Sequence, residues 1–140
     1  QTAQQIQLPS NETQTLWITK RRARNDYPKP GEHTGKWLIF IERAKVDGWW
    51  IDISNAVGAG QLGHAAQVST ARPNPVSRDP SMHVICVYSY DHRDVDDVLR
   101  VRNVLRKMGV TWKIGYKTNA ATRAGKYQVR GDTHVSTYWE

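Results

Sequence analysis

The sequence has little of the chemistry that builds covalent or metal-held frameworks. Cys86 is the one cysteine among 140 residues, so no disulfide can form within the chain and no thiolate metal site is available. The five histidines are not paired with acidic residues at zinc-ligand spacing, so no metal is predicted and no cofactor is implied. Cys86 lies in the apolar segment Met82–Tyr90, where a buried thiol is expected. Such sparse cysteine usage fits a reducing, cytoplasmic setting.

Long apolar runs are also missing. No stretch approaches the roughly 18 apolar residues of a membrane-spanning helix, so neither a transmembrane segment nor a membrane partner is expected. No apolar segment with a charged flank stands near the first residue, so no signal peptide is expected. The phosphate-binding P-loop motif and the G-x-S-x-G nucleophile motif are absent, which leaves a P-loop nucleotidase or a serine hydrolase without support.

Acidic residues are absent from a long part of the chain. Val98–Gly131 contains no Asp or Glu. The same stretch carries a series of cations: Arg100, Arg102, Arg106, Lys107, Lys113, Lys117, Arg123, Lys126 and Arg130. A second basic cluster comprises Lys20, Arg21, Arg22, Arg24 and Lys29. With a formal net charge of +7 and a pI of about 9.8, the chain is expected to favour anionic partners such as RNA, a nucleotide or a phosphoprotein.

The apolar patterning that is present predicts one domain over residues 14–140, preceded by a weakly ordered tail over residues 1–13. Period-two alternation and β-branched content predict these strands: Thr15–Lys20, Lys36–Arg43, His64–Ala71, Met82–Tyr90 and Thr111–Lys117, with Lys126–Arg130 and Thr133–Trp139 as a closing hairpin. The fold class expected from this pattern is α+β, with a mostly antiparallel sheet.

Two helices complete the pattern. The first is predicted to begin at Asp47 as the capping residue and to end near Gly58. The second is predicted to follow Asp94, with acid in its first turn, and to end at Gly109. Each helix is expected to lie against the apolar face of the sheet, which leaves the other face to solvent.

Several basic residues are candidates for binding phosphate. Lys113 and Lys117 share one face of the predicted strand Thr111–Lys117. A solvated strand face is the alternative interpretation, and a lysine crowded by other cations could also serve as a catalytic base. Arg123, Lys126 and Arg130 follow a polar loop, and guanidinium groups bind phosphate bidentately.

The aromatic residues divide into a core set and a stacking candidate. Trp17 stands beside a basic cluster and is the best candidate for stacking on a nucleobase. The predicted core tryptophans are Trp37, Trp112 and either Trp49 or Trp50. The basic side chains of the second helix, which are Arg100, Arg102, Arg106 and Lys107, are expected to face solvent.

Four separated sequence blocks occur in an order that resembles a known family. They are GKWLIF (Gly35–Phe40), LGHAAQVST (Leu62–Thr70), HVICVYSYD (His83–Asp91) and GVTWKIGYKTNAATRAGKY (Gly109–Tyr127). Over roughly Leu16 to Tyr138 the chain resembles the family named for a basophilic-leukaemia-expressed protein. That family lies within the fold superfamily of the cap-binding translation initiation factor 4E. It implies a curved antiparallel sheet with helices on its convex back.

The cap-binding factors themselves are a more remote likeness. They stack a methylated guanine between two tryptophans and read its edge with a glutamate. Carried over, the first stacking position falls in or after Trp17–Arg24. The second falls near Asp26–Tyr27, where no Trp-Glu pair occurs and Tyr27 is left as a weaker platform. This departure argues against mRNA cap recognition. The phosphate-binding side is better kept, with Arg72, Arg78, Lys113, Lys117, Arg123 and Lys126 as its candidates.

A second likeness is to the phosphothreonine lyase effectors. It rests on His-Val at the head of a strand, followed some thirty residues later by Trp-Lys. It implies that His83 acts as general acid and Lys113 as general base, with Arg123 and Lys126 as phosphate ligands.

Three functional hypotheses follow from these observations. The leading one is a binding module for a phosphate-bearing ligand, a nucleotide or an RNA end, on a basic and aromatic-lined concave sheet face. The second is a carbon–oxygen lyase acting on phosphothreonine or phosphoserine. The third is a protein-interaction scaffold, which requires an exposed apolar patch among Trp49, Trp50 and Ile53 on the convex side.

Overall fold

A computed structural model of the protein describes residues 7–73, 79, 81–120 and 137–140. Within these ranges the chain forms six strands and two helices, in the order β1 (Trp17–Arg21), β2 (Gly35–Glu42), α1 (Arg43–Gly58), β3 (Ala65–Ser69), β4 (Met82–Ser89), α2 (Val95–Lys107), β5 (Gly115–Thr118) and β6 (Tyr138–Trp139). The predicted strand Lys126–Arg130 and the first part of its hairpin partner, up to residue 136, lie outside the described residues.

The strands form one curved antiparallel sheet in the spatial order β1-β3-β4-β2-β5-β6. Its centre is the pairing of β2 with β4, which runs in register from Gly35↔Ser89 to Glu42↔Met82. The α+β class and the antiparallel sheet predicted from the sequence are confirmed.

One face of the sheet is buried because strand alternation turns its apolar residues toward the helices. On β2, Trp37 and Ile39 are completely buried. Both belong to a single core cluster that also includes Ile53 of α1 and Leu105 of α2. The indole Nε1 of Trp37 donates a hydrogen bond to the carbonyl of Val98 at 3.1 Å, which ties the central strand to α2. Both helices therefore cover the same face.

The two helix starts differ in how well the sequence predicts them. The side chain of Asp94 caps α2 by accepting a hydrogen bond from the Asp97 N–H, as predicted, and Gly109 follows the helix with a φ of 114°. The predicted start of α1 at Asp47 is wrong, because that helix begins at Arg43 directly after β2. Asp47 lies inside α1 and accepts hydrogen bonds from the backbone and side chain of Ser10.

The beginning of the described chain packs on α1. Pro9 is buried, and the next residue, Ser10, is held by Asp47. Residues 1–6 lie outside the described part of the chain, so the weakly ordered tail over residues 1–13 stays a prediction.

The strand predicted at Thr111–Lys117 is shorter than expected. It begins at Gly115, so Lys113 precedes the strand, and Trp112 is 41% exposed instead of lying in the core. Arg102, which is predicted to face solvent, is instead fully buried beside this segment. Its guanidinium donates to the carbonyls of Val110 and Trp112 at 2.9 and 2.8 Å, so both carbonyls are bonded to α2.

Two further observations concern the class of the protein. Gly58, Gly60 and Gly63 spell G-x-G-x-x-G, but this segment begins with the last residue of helix α1 and precedes strand β3. A dinucleotide-binding turn needs a strand before the glycines and a helix after them.

In the described part of the chain, no helix is long and apolar enough to cross a membrane.

Candidate functional site

The sheet face turned away from the helices, here the opposite face, carries both polar and apolar side chains. The register of the ladders assigns its residues: Trp17, Thr19 and Arg21 on β1; Ala65, Gln67 and Ser69 on β3; Met82, Val84, Cys86 and Tyr88 on β4; Lys36, Leu38, Phe40 and Glu42 on β2; Gly115 and Lys117 on β5; and Trp139 on β6. Its two ends differ in chemistry.

Cations line the opposite face at the end where β2 begins. Lys36 and Lys117 are direct register partners on neighbouring strands. Tyr88 of β4 pairs with Lys36 on its other side. The same register, continued through β3, places Arg21 of β1 in the same line. Arg21, Lys36 and Lys117 together are called the cationic row. Four strand spacings of about 4.8 Å separate β1 from β5, so the row spans roughly 19 Å.

The cationic row concentrates positive charge. Like charges directly opposite each other in a sheet are destabilising, and Lys36 with Lys117 is such a pair. Burial raises the pKa of the neighbouring Cys86 thiol to about 11, while Lys36 and Lys117 act to lower it. Both ammonium groups are therefore close enough to act on the same point of this face.

Hydrogen bonds fix the side chains around this row. Lys36 donates from Nζ to Asn119 Oδ1 at 3.1 Å, and the same Nζ lies 5.7 Å from the centre of the Tyr88 ring. The Tyr88 hydroxyl donates to Gln67 Oε1 at 2.9 Å, and Gln67 in turn donates to Thr19 at 3.1 Å. Lys36 and Tyr88 are thus held in place before any ligand binds, which lowers the entropic cost of binding at this part of the row.

The other end of the opposite face opens into an aromatic cleft of about 380 Å³, lined by Phe40, Ile41, Glu42, Lys45, Trp49, Met82 and Trp112. Phe40 is 59% exposed, an unusual state for so large an apolar side chain. Trp49 and Trp112 meet edge to face, with ring centroids 5.7 Å apart. Glu42 and Lys45 form an ion pair at the rim, 3.4 Å apart.

Tyr27 lies near the cationic end but is already engaged. Its hydroxyl donates to the Asp97 carboxylate and accepts from the Tyr90 N–H at 3.1 Å. The Arg22 guanidinium lies 4.9 Å from its ring centre, and the ring stacks on His64. These contacts argue against Tyr27 as a free stacking platform.

His64 is the unusual member of this group. Its Nδ1 is buried and lacks a hydrogen-bond partner among the described residues. Burial, followed by the nearby charge of Arg21, lowers its pKa to about 4. The imidazole is therefore neutral at physiological pH and acts as an aromatic spacer between Tyr27 and Tyr88.

The predicted site residues fall into separate places. Lys117 is in the cationic row and only 7% exposed, whereas Lys113 is exposed and lies outside β5. Trp17 is 37% exposed on the opposite face, at the end away from the row. Arg72 lies toward that same end and donates to the Gln14 carbonyl at 2.6 Å. Arg78, Arg123, Lys126 and Arg130 lie outside the described residues.

The acid–base pair implied by the lyase resemblance is not assembled by this geometry. His83 is 1% exposed and lies on the helix-covered face. Its Nδ1–H donates to the Ser69 carbonyl at 2.7 Å, and its Nε2 accepts from Arg43 at 3.0 Å. Both ring nitrogens are therefore engaged, and neither is directed at a substrate. Lys113 stands in the exposed segment before β5.

The apolar patch required for a convex-side scaffold is also missing at its predicted place. Ile53 is fully buried, Trp50 is 5% exposed, and Trp49 is partly buried against the core and lines the aromatic cleft. The helical spacing that suggested a patch is the spacing of a core-facing stripe.

Comparison with known proteins places the chain in a family. A family model described as basophilic leukemia-expressed protein Bles03 matches residues 29–125, more than half of the sequence. The chain belongs to this family. The resemblance noted in the four sequence blocks is thereby confirmed. The Bles03 match includes β2, β3, β4 and β5, and so most of the opposite face.

A solved structure of Ascaris suum eIF4E-3 in complex with an m2,2,7G cap is also similar to this chain. The two share 20% sequence identity with a TM-score of 0.48, over 62% of this chain and 51% of the other. This Bles03-family chain therefore spans about half the length of that structure's chain.

Sequence reasoning missed two members of the cationic row. From the sequence, Lys36 is only the first residue of a predicted strand, although its alternation with the buried Trp37 places it on the opposite face. Arg21 was seen as part of a local basic cluster. Its alignment with Lys36 depends on the β1-β3-β4-β2 strand order, which no local pattern reveals.

Proposed function

We propose that this Bles03-family protein is a binding module for a phosphate-bearing ligand, a nucleotide or an RNA end, which it holds on the opposite face of its sheet. The observation that carries the proposal is the cationic row, in which Lys36 and Lys117 stand directly opposite each other and Arg21 lies in the same line. The function proposed is capture without chemical conversion.

The chemistry of the row matches a phosphate. Lysine ammonium groups bind phosphate as point charges, and an arginine adds a planar, bidentate donor. Among the described residues, Arg21 forms no ion pair with an acidic side chain. The aromatic ring of Tyr88 lies between Arg21 and Lys36 and offers an apolar edge to a sugar or base.

The experiment is a tryptophan-fluorescence titration with three probes: a 5′-phosphorylated RNA trinucleotide, the same trinucleotide without its 5′-phosphate, and a nucleoside triphosphate. We expect the phosphorylated probes to bind more tightly than the unphosphorylated one. For about three phosphate contacts on a single strand, the slope of log K against log salt concentration is expected to be about −2.

Lys36→Gln is the diagnostic variant, with Lys107→Gln as its matched control. Both changes remove one positive charge, but Lys107 is exposed in the last turn of α2, on the helix side. Lys36→Gln should weaken binding and reduce the steepness of the salt slope by about 0.7, whereas Lys107→Gln should change neither by much. Equal losses in the two variants would show non-specific attraction to a basic protein and would contradict the proposal.

A further inference from the structure

The opposite face is chemically polarised along its strands. From the cationic row at Lys36 to Phe40 at the aromatic cleft is four residues of β2, or roughly 13 Å at about 3.3 Å per residue. Between them lies an uncharged row that includes Leu38, Cys86 and Gly115. One end of the face is therefore suited to an anion and the other to a flat apolar group.

The aromatic cleft is continuous with this face, because Phe40 and Met82 belong to both. Three of its large apolar side chains are substantially exposed: Phe40 by 59%, Trp112 by 41% and Met82 by 36%. Grouped exposed apolar residues of this kind mark binding surfaces. Aromatic side chains on a sheet surface stack nucleobases without strong sequence preference.

We propose that the aromatic cleft receives the base of a nucleotide other than the one whose phosphate lies on the cationic row. This inference rests on the proposed function and names its ligand class, a single-stranded oligonucleotide of at least two nucleotides. A mononucleotide is too short to reach both ends, because its base and phosphate are joined through a single sugar. The site is thus built to distinguish an oligonucleotide from a free nucleotide.

The cleft wall is positioned by the fold. The carbonyl of Trp112 accepts a hydrogen bond from the buried Arg102 at 2.8 Å, and its ring packs edge to face on Trp49. A wall that is fixed in advance favours stacking of a planar base, since little ordering remains to be done on binding. Lys45 at the rim is held by Glu42, so a strong anion subsite is not expected at the cleft itself.

The test is a length series of 5′-phosphorylated oligoadenylates, from one to four nucleotides, titrated against the full chain. Affinity should rise on the order of tenfold once the oligonucleotide reaches the cleft, as expected for one stacked base. Trp112→Ala should remove this gain and leave the affinity for the mononucleotide unchanged. Lys36→Gln should weaken every member of the series alike.

Phe40→Ala provides a second variant, because Phe40 is the most exposed of the cleft residues named and its loss is least damaging to folding. Far-UV circular dichroism of both variants checks the fold. If the mononucleotide binds but length adds nothing, or if the gain survives both substitutions, the inference is wrong while the proposed function stands. If no phosphorylated probe binds at all, the proposed function itself fails.

Discussion

Replacing the buried Arg102 should destabilise the protein strongly. Its guanidinium donates to three main-chain carbonyls: Nε to Glu140 at 3.0 Å, Nη1 to Val110 at 2.9 Å and Nη2 to Trp112 at 2.8 Å. These bonds join α2 to the segment before β5 and to the last described residue. Burial lowers the pKa of Arg102, which shows that desolvation costs part of what the bonds contribute.

The magnitude follows from those three bonds. A hydrogen bond to a charged group contributes about 1.5–3 kcal/mol, and a buried carbonyl left without a partner costs about 1–3 kcal/mol. The bond to Val110 is the buried one of the three, and the Glu140 carbonyl also accepts from the Ile114 N–H at 2.9 Å. We therefore expect Arg102→Ala to lower the free energy of unfolding by about 4 kcal/mol, a large part of the roughly 5–15 kcal/mol typical of a domain.

Urea unfolding, followed by circular dichroism, measures this change. Arg106→Ala is the matched control, because it removes a cation from the next turn of the same helix. Arg106 is exposed and only loosely paired with Glu140, at 3.8 Å, so a change below about 1 kcal/mol is expected. A loss for Arg102→Ala no larger than that for Arg106→Ala would refute the reasoning.

Three further predictions concern the sheet. A Cβ on Gly63 would lie 1.7 Å from the Tyr88 carbonyl oxygen, so Gly63→Ala should lower the free energy of unfolding, measured with urea, by about 1–3 kcal/mol or more. His64 has a pKa of about 4 when folded and about 6.5 when unfolded, so between these pH values the unfolded state binds more protons. The free energy of unfolding should therefore fall as the pH drops from 6.5 to 4. An NMR titration midpoint near 6.5 for His64 in the folded protein would contradict this. Because the pKa of Cys86 is raised to about 11 by burial, its thiol should resist Ellman's reagent at pH 8 until urea unfolds the chain; rapid reaction of the native protein would disprove burial.

Much of the fold could be predicted because the chain's local patterns agree with its topology. Alternation in β2 and β4 gave those strands nearly to the residue, and Asp94 with Gly109 gave α2. The start of α1 could not be predicted from Asp47, since Ser10 binds that carboxylate and the helix continues directly from β2. A residue's capping potential does not reveal which partner it finds.

The candidate site was harder to predict than the fold. Lys117 was identified because it stands in a basic stretch, but its partner Lys36 is distant in sequence and is brought opposite it only by the β2–β5 ladder. Arg102 was expected in solvent because its helix is rich in cations. Its burial depends on carbonyls from three different positions, which converge only in the folded chain.

The location of the ligand is the central claim, and NMR chemical-shift mapping tests it most directly. Backbone amides would be followed while a 5′-phosphorylated RNA trinucleotide is added to the labelled chain at low salt. We expect the largest shifts at Arg21, Lys36, Tyr88 and Lys117, with smaller ones on the exposed sides of α1 and α2. Shifts confined to the helices, or none at all at saturating RNA, would contradict it.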